Sequence, residues 1–270
     1  MIFKNRYLYI ALSTLYLSCA QAFDLGQELR NAAQALPGAS LSGYTDAEEV
    51  AIGRQIAGNL LGAAPLLADK KLQKYVNNVG RQVASMSERP ELVWHFGVID
   101  SDDINAFAAP GGYIFVTRGL YLRLSNEAEL AGVLAHEIGH VIKKHHLKIL
   151  QQSKMVDIGS KLLTRQIEGN DKISTLIGSG AEIVARSLDK KAEFEADRIG
   201  VVLAARAGYD AYGLPAILQE IGHNTSDSVT LLFKTHPHPD ARLAQLSLAM
   251  DERFDKLHGL TLAQRLYKLK

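Results

Sequence analysis

A chain of 270 residues, 47% hydrophobic and 22% charged, can bury one large core or two small ones, which excludes a disordered or low-complexity protein. A formal net charge of +1 leaves no basic footprint, so no nucleic-acid partner is expected. With Cys19 as the only cysteine, a disulfide framework within the chain is excluded too.

Residues 1–22 read as a secretory signal peptide. Lys4 and Arg6 form a short basic region, "YLYIALSTLYLS" an apolar core too short for a membrane span, and Ala20-Gln21-Ala22 a small-x-small cleavage site. Cleavage there would remove Cys19 and deliver a thiol-free chain to an oxidising compartment, which the family resemblance given below implies is the periplasm. Two alternatives stay open: an uncleaved N-terminal anchor, with peripheral membrane association, and lipid attachment at Cys19. Tyr16-Leu17-Ser18 fits attachment poorly, because an aliphatic residue usually stands three positions upstream.

Residues 23–45, with Pro37, Gly38 and Gly43, read as a linker or arm leading into a domain over 46–270. Asp46 and Glu49 have capping-box spacing at the start of a helix. In a second helix, Leu72, Tyr75, Val76, Val79 and Val83 recur at helical spacing. The period then changes. Trp94, Phe96 and Val98 alternate as in a half-buried strand, and "YIFVTRG" from Tyr113 is a second strand. "SDDINAFAAPGG" between them reads as a loop, and from Asn126 the chain reads as almost wholly helical. The expected fold is α+β, mainly helical, with a small sheet just before a histidine-rich helix.

That helix, opened by an Asn126/Glu129 capping box, carries His136-Glu137-x-x-His140. Histidines four apart lie on one helical face and can reach one zinc ion, while Glu137 can hold a water and take its proton. His146 stands where the metzincin pattern has its third histidine. That pattern needs glycine at 143 for a sharp turn, and the residue is Lys143. If the helix continues, His146 lies about 15 Å along the axis from His136, out of reach of the same metal. Lys143, Lys144, His145 and His146 then read as a basic helix end, favourable to the helix dipole. Downstream, Glu193 and Asp197 are four apart in "KKAEFEADRIG". Glu193 would complete a His-His-Glu zinc site, and Asp197 could accept the ring N–H of a liganding histidine; Glu195 would point elsewhere.

"HEIGH", followed some fifty residues later by "EFEADRIG", resembles the gluzincin peptidases related to the CAAX prenyl protease and HtpX. "NAFAAPGGYIFVTRGL" and "THPHPDAR" are similar to segments of the soluble periplasmic branch, of the BepA and LoiP type. The resemblance spans roughly residues 45 to 250. It implies a zincin-type metalloprotease domain holding one zinc ion through His136, His140 and Glu193, with Glu137 as general base and Asp197 behind the ligands. His236 matches a family histidine near the metal, as an extra ligand or a transition-state stabiliser. The sequence lacks the membrane spans of the prenyl-protease branch and the tetratricopeptide array of the BepA type, so partner interactions of that array are not carried over.

Around the chemistry, Gly111 and Gly112 could let a substrate backbone approach, and the strand from Tyr113 to Thr117 could pair with an extended peptide. Asn105 lies in the same family-like segment as a substrate-binding candidate. Arg242 could bind substrate or a structural carboxylate. Spacing alone does not choose between His236 and His238, which flank Pro237. Tyr113 suits packing better than oxyanion binding, and His95, His223 and His258 read as structural or solvated. The expected function is a zinc endopeptidase acting on unfolded or misassembled envelope proteins in quality control. The alternative is a chaperone-like binding module with a structural or latent zinc site.

Overall fold

The computed structural model describes residues 43–152, 188–223, 232 and 235–269. The segment 1–22, with Cys19, and the arm up to residue 42 lie outside them. From Tyr44 onward the described residues belong to one unit.

Helix α1 (Asp46–Ala63) starts one residue earlier in its cap than the spacing predicts. Thr45 is the N-cap, and its hydroxyl and Glu48 form the reciprocal capping box. Glu49 is thereby released for another task. Fully buried, its carboxylate takes Arg89 Nη1 at 2.8 Å and the Gly111 N–H at 3.1 Å. Helix α2 (Lys70–Ala84) is capped by Asp69, which accepts from the Lys71 and Leu72 N–H groups. It buries the predicted stripe of Leu72, Val76, Val79 and Val83.

The sheet has three strands, β1 (His95–Ile99), β2 (Ala106–Ala109) and β3 (Tyr113–Thr117), in the order β1-β3-β2. β3 runs parallel to β1 and antiparallel to β2, with Phe107 opposite Phe115. Strand β2 lies in the stretch read from sequence as a loop. "AFAA" is too short to show a period, and its strand character comes from pairing with β3. β1 is not half-buried: Phe96, Val98, Ile114 and Val116 face the main core, while Ile99, Phe107 and Phe115 pack with Ile56 of α1. Both faces are covered, so alternation of polarity is lost.

After a short turn α3 (Arg118–Tyr121), helix α4 (Glu127–Ile142) runs through the centre with only Ile142 not buried. Its N-cap Asn126 accepts from the Glu129 N–H, and Glu129 reaches back to the Ser125 N–H. Around α4 pack α2, α5 (Lys190–Arg206) and α6 (Gly213–Gly222), and α7 (Pro239–Met250) packs on α5 and α6.

The helix does not continue past Ile142. Lys143 caps it, Lys144 adopts φ 55°, and residues 145–152 are helical again in a new direction. The turn forms without glycine because Lys144 Nζ pairs with buried Glu49 at 3.0 Å and with Asp46 at 3.3 Å. These contacts offset the roughly 1–2 kcal/mol that a non-glycine residue pays in the left-handed region. His145 and His146 are consequently buried, not a solvated basic end.

Two glycines of α1 provide a paired test. A Cβ on Gly53 would collide with the Pro110 carbonyl, whereas one on Gly58 would meet nothing within 4 Å. Gly53→Ala should lower unfolding free energy by about 1–3 kcal/mol, and Gly58→Ala should raise it by about 0.4–1 kcal/mol. Urea denaturation reads both; equal effects would refute the close approach of α1 to the Pro110 turn.

Candidate metal centre

His136 and His140 project from one face of α4, and their Nε2 atoms lie 3.0 Å apart. Glu193 of α5 faces both, with Oε2 3.7 Å from His136 Nε2 and Oε1 3.5 Å from His140 Nε2. His236, just before α7, places Nδ1 2.8 Å from Glu193 Oε2. All four residues are buried, and one donor atom from each lies within 4.8 Å of the others. Glu193 Oε1 has no hydrogen-bond partner. A buried carboxylate oxygen left so is costly unless a cation meets it. Tetrahedral ligands about 2.0–2.1 Å from zinc are roughly 3.3–3.4 Å apart. The donor atoms lie within 4.8 Å of one another, close enough for one ion to gather them, and their chemistry suits zinc.

The ligands are backed from behind. Asp197, one turn after Glu193, places Oδ1 2.9 Å from His136 Nδ1, and Arg242 Nη2 lies 3.2 Å from the same nitrogen. Arg242, itself buried, spans the same carboxylate, with Nη2 2.6 Å from Oδ1 and Nε 3.0 Å from Oδ2. Its guanidinium is thus committed to a structural carboxylate rather than free for substrate. Burial opposes ionisation of Asp197, but Arg242 and His136 outweigh it and hold the carboxyl well below the usual range. Glu193 follows the same pattern: burial raises its pKa, but His236, His136 and Arg242 together outweigh it, and the net shift is down. Burial lowers the His236 pKa, Glu193 raises it, and the net shift is up.

Glu137 is buried beside these donors. Burial pushes its pKa up, against the pull of His136 and His236. It lines a small recess together with Ala106, Ala108, His146, Thr235 and His236. His238 instead sits half-exposed at the N-cap of α7.

Other candidates are placed elsewhere. Gly111 (φ 74°) and Gly112 (φ 92°) form the turn before β3. A Cβ on Gly111 would lie 2.7 Å from Val50 Cα, and one on Gly112 2.9 Å from the Val93 carbonyl. The backbone that these glycines admit is the chain's own, not a substrate's. Asn105 is buried at the mouth of β2; its Oδ1 accepts the Ala106 N–H, and Nδ2 lies 3.4 Å from Thr235 Oγ1. Tyr113 stacks on His95. β3 is the central strand, so Tyr113–Thr117 offers no free edge to a peptide.

Sequence reasoning missed His145, His146 and Glu195. His145 Nδ1 lies 2.9 Å from His140 Nδ1, and its Nε2 lies 3.4 Å from Glu195 Oε2. His146 lies outside the four-donor group, with its ring 5.8 Å from that of His140. The adjacent pair of histidines was visible, but nothing in "KKHH" marks the turn that buries them.

The model of peptidase family M48 matches residues 70–249, two thirds of the chain and every residue of the site. The chain belongs to peptidase family M48. The buried His-His-Glu-His group lies inside the matched segment and is where a metal ion could be held. Over 209 residues it is 32% identical to a beta-barrel assembly-enhancing protease of Yersinia pestis, covering 73% of this chain and 43% of that protein. The protein of the same name in Escherichia coli (strain K12) is also 32% identical over 209 residues, with coverages of 73% and 42%. A mitochondrial metalloendopeptidase OMA1 of Arabidopsis thaliana is 29% identical over 184 residues, 68% of this chain and 37% of that one. The chain spans less than half the length of these M48 relatives.

His146 gives the site a pH signature. Burial lowers its pKa from 6.5 to about 4. Between those values the unfolded chain binds the proton and the folded chain does not, so stability falls as pH drops. The slope from this one group is at most about 1.4 kcal/mol per pH unit. In the presence of a chelator, melting temperature should fall from pH 6.5 to 4, and less steeply in His146→Gln; parallel curves would show that His146 is not buried neutral.

Proposed function

We propose that this M48 chain is exported to the periplasm and cuts internal peptide bonds of unfolded or misassembled envelope proteins, with His136, His140 and Glu193 holding one zinc ion. The observation that carries the reading is a shared recess: the buried Glu137, His236 of the donor group and residues 106–108 of β2 line one place.

The substrate strand in this reading is β2, not β3. Asn105 O accepts the Thr117 N–H, so residues 105, 107 and 109 turn their backbone groups toward β3 and 106 and 108 turn theirs outward. The Ala106 N–H is taken by Asn105 Oδ1. The Ala106 carbonyl and both groups of Ala108 point away from β3, and an extended peptide would pair with them once it displaces what buries these two alanines. Asn105 thus shapes the substrate edge rather than binding the peptide with its side chain.

Zinc, when bound, polarises the scissile carbonyl and makes a water acidic enough to attack at neutral pH. Glu137 takes a proton from that water as its oxygen bonds to the carbonyl carbon. Its raised pKa suits it to hold the proton and then deliver it to the amine nitrogen as the C–N bond breaks. Asp197 with Arg242 keeps the His136 ring oriented, and His236 faces the charge that builds on the carbonyl oxygen. The names of the two bacterial relatives, which describe enhancement of β-barrel assembly, support an envelope role.

With casein as substrate, Glu137→Gln should keep one zinc and lose about 10²–10⁴-fold in turnover. Unchanged turnover would remove Glu137 as the base. Glu193→Ala should lose zinc, and full zinc content would dismiss it as a ligand. His236→Ala should keep zinc and lose turnover, whereas a gain would identify His236 as a ligand that closes the site. Export is read from the N-terminus of the periplasmic protein, expected at Phe23; an intact Met1 would favour the uncleaved anchor, and a lipid-modified Cys19 the lipoprotein.

A further inference from the structure

Each histidine on the α4 face has its Nδ1 engaged, but by different partners. Behind His136 stands the Asp197–Arg242 pair. Behind His140 stands His145, 97% buried, its Nδ1 2.9 Å from His140 Nδ1. On the far side of the His145 ring, Nε2 is 3.4 Å from Glu195 Oε2.

The backbone is bent to make this contact. On a continuing helix, His145 would lie about 7.5 Å further along the axis and about 140° round from His140, out of reach. Lys144 in the left-handed region folds the chain back and brings His145 against His140. Such strain persists where surrounding contacts hold it, and here Glu49 and Asp46 grip the Lys144 ammonium.

The protons are consistent along the chain of contacts. A His140 that gives its Nε2 lone pair to a metal keeps its proton on Nδ1. That N–H needs an acceptor, and the facing atom is His145 Nδ1. His145 must then carry its own proton on Nε2, where Glu195 accepts it. Glu195 is 42% exposed and its contact is long, so it orients His145 more weakly than Arg242 orients Asp197.

We propose that His145 is a positioning residue for the metal ligand His140, holding its tautomer and ring orientation, with Glu195 orienting His145 in turn. This rests on the reading of His136, His140 and Glu193 as ligands.

The test is the dissociation constant for Zn2+, measured on the full secreted protein by competition with a chromogenic chelator. Removing such a partner typically weakens metal binding 10–100-fold. His145→Leu, apolar and of similar bulk, should show that loss. His145→Asn, whose Oδ1 stands where Nδ1 stood, should restore most of it. A merely space-filling role predicts that leucine does at least as well as asparagine, and that result, or equal affinity in all three proteins, overturns the proposal. Glu195→Ala should weaken binding less than His145→Leu; no change would remove Glu195 from the arrangement. If the parent chain binds no zinc, the ligand assignment itself fails, and this inference with it. Should His145→Leu not fold, ¹⁵N imidazole spectra of the zinc-loaded parent decide the matter. His140 protonated on Nδ1 and His145 on Nε2 is the expected pattern, and a proton on His145 Nδ1 overturns it.

Discussion

The site depends on how closely α4 and α5 approach. A Cβ on Gly139 would lie 3.2 Å from Ala196 Cα, and one on Gly200 would lie 3.0 Å from the His136 backbone nitrogen. These are contacts between helix backbones, with glycine on each side making room. Helices packed through ordinary side chains stand about 8–10 Å apart. At the closer spacing, a glutamate one turn into α5 meets both histidines of α4, and the aspartate a turn later meets the back of one ring. Two larger residues at these glycines would separate the ligands while leaving both helices intact.

Burial sets the electrostatics. Glu137, Glu193 and Asp197 are buried together, and among the described residues Arg242 is the one buried guanidinium that faces them. With these groups ionised, two negative charges remain unbalanced in a place where water cannot screen them. A divalent cation balances them. Without it, His236 takes up part of the imbalance, which is why its pKa rises although its ring is buried. The donor set is therefore matched to the ion in charge as well as in shape.

Most of this chemistry was legible because it is written in short helical spacings. His136 with His140, and Glu193 with Asp197, follow from residues four apart on a helix, and no tertiary knowledge was needed to see that each pair shares a face. Legibility fails where tertiary contacts decide. Thr45 displaces Asp46 as the cap of α1 because Glu49, the partner Asp46 would need, is drawn inward by Arg89 and the Gly111 N–H. "AFAA" becomes the edge strand only because β3 pairs with it. The turn at Lys144 forms against local preference, and the residue that stabilises it lies almost a hundred positions away in sequence. The family resemblance supplied His236, which spacing alone does not separate from His238.

That last contact extends the site beyond its obvious limits. The segment matched by the M48 model begins at residue 70, after α1 has ended. Yet α1 carries Glu49 and Asp46, which hold the Lys144 turn, and the turn delivers His145 to His140. Glu49 also ties down the Gly111 N–H in the turn between β2 and β3, so one buried carboxylate braces both the back of a metal ligand and the connection that aligns the edge strand. No residue of helix α1 belongs to the donor group or lines the recess, but the helix fixes the two elements between which a peptide and a metal would have to meet.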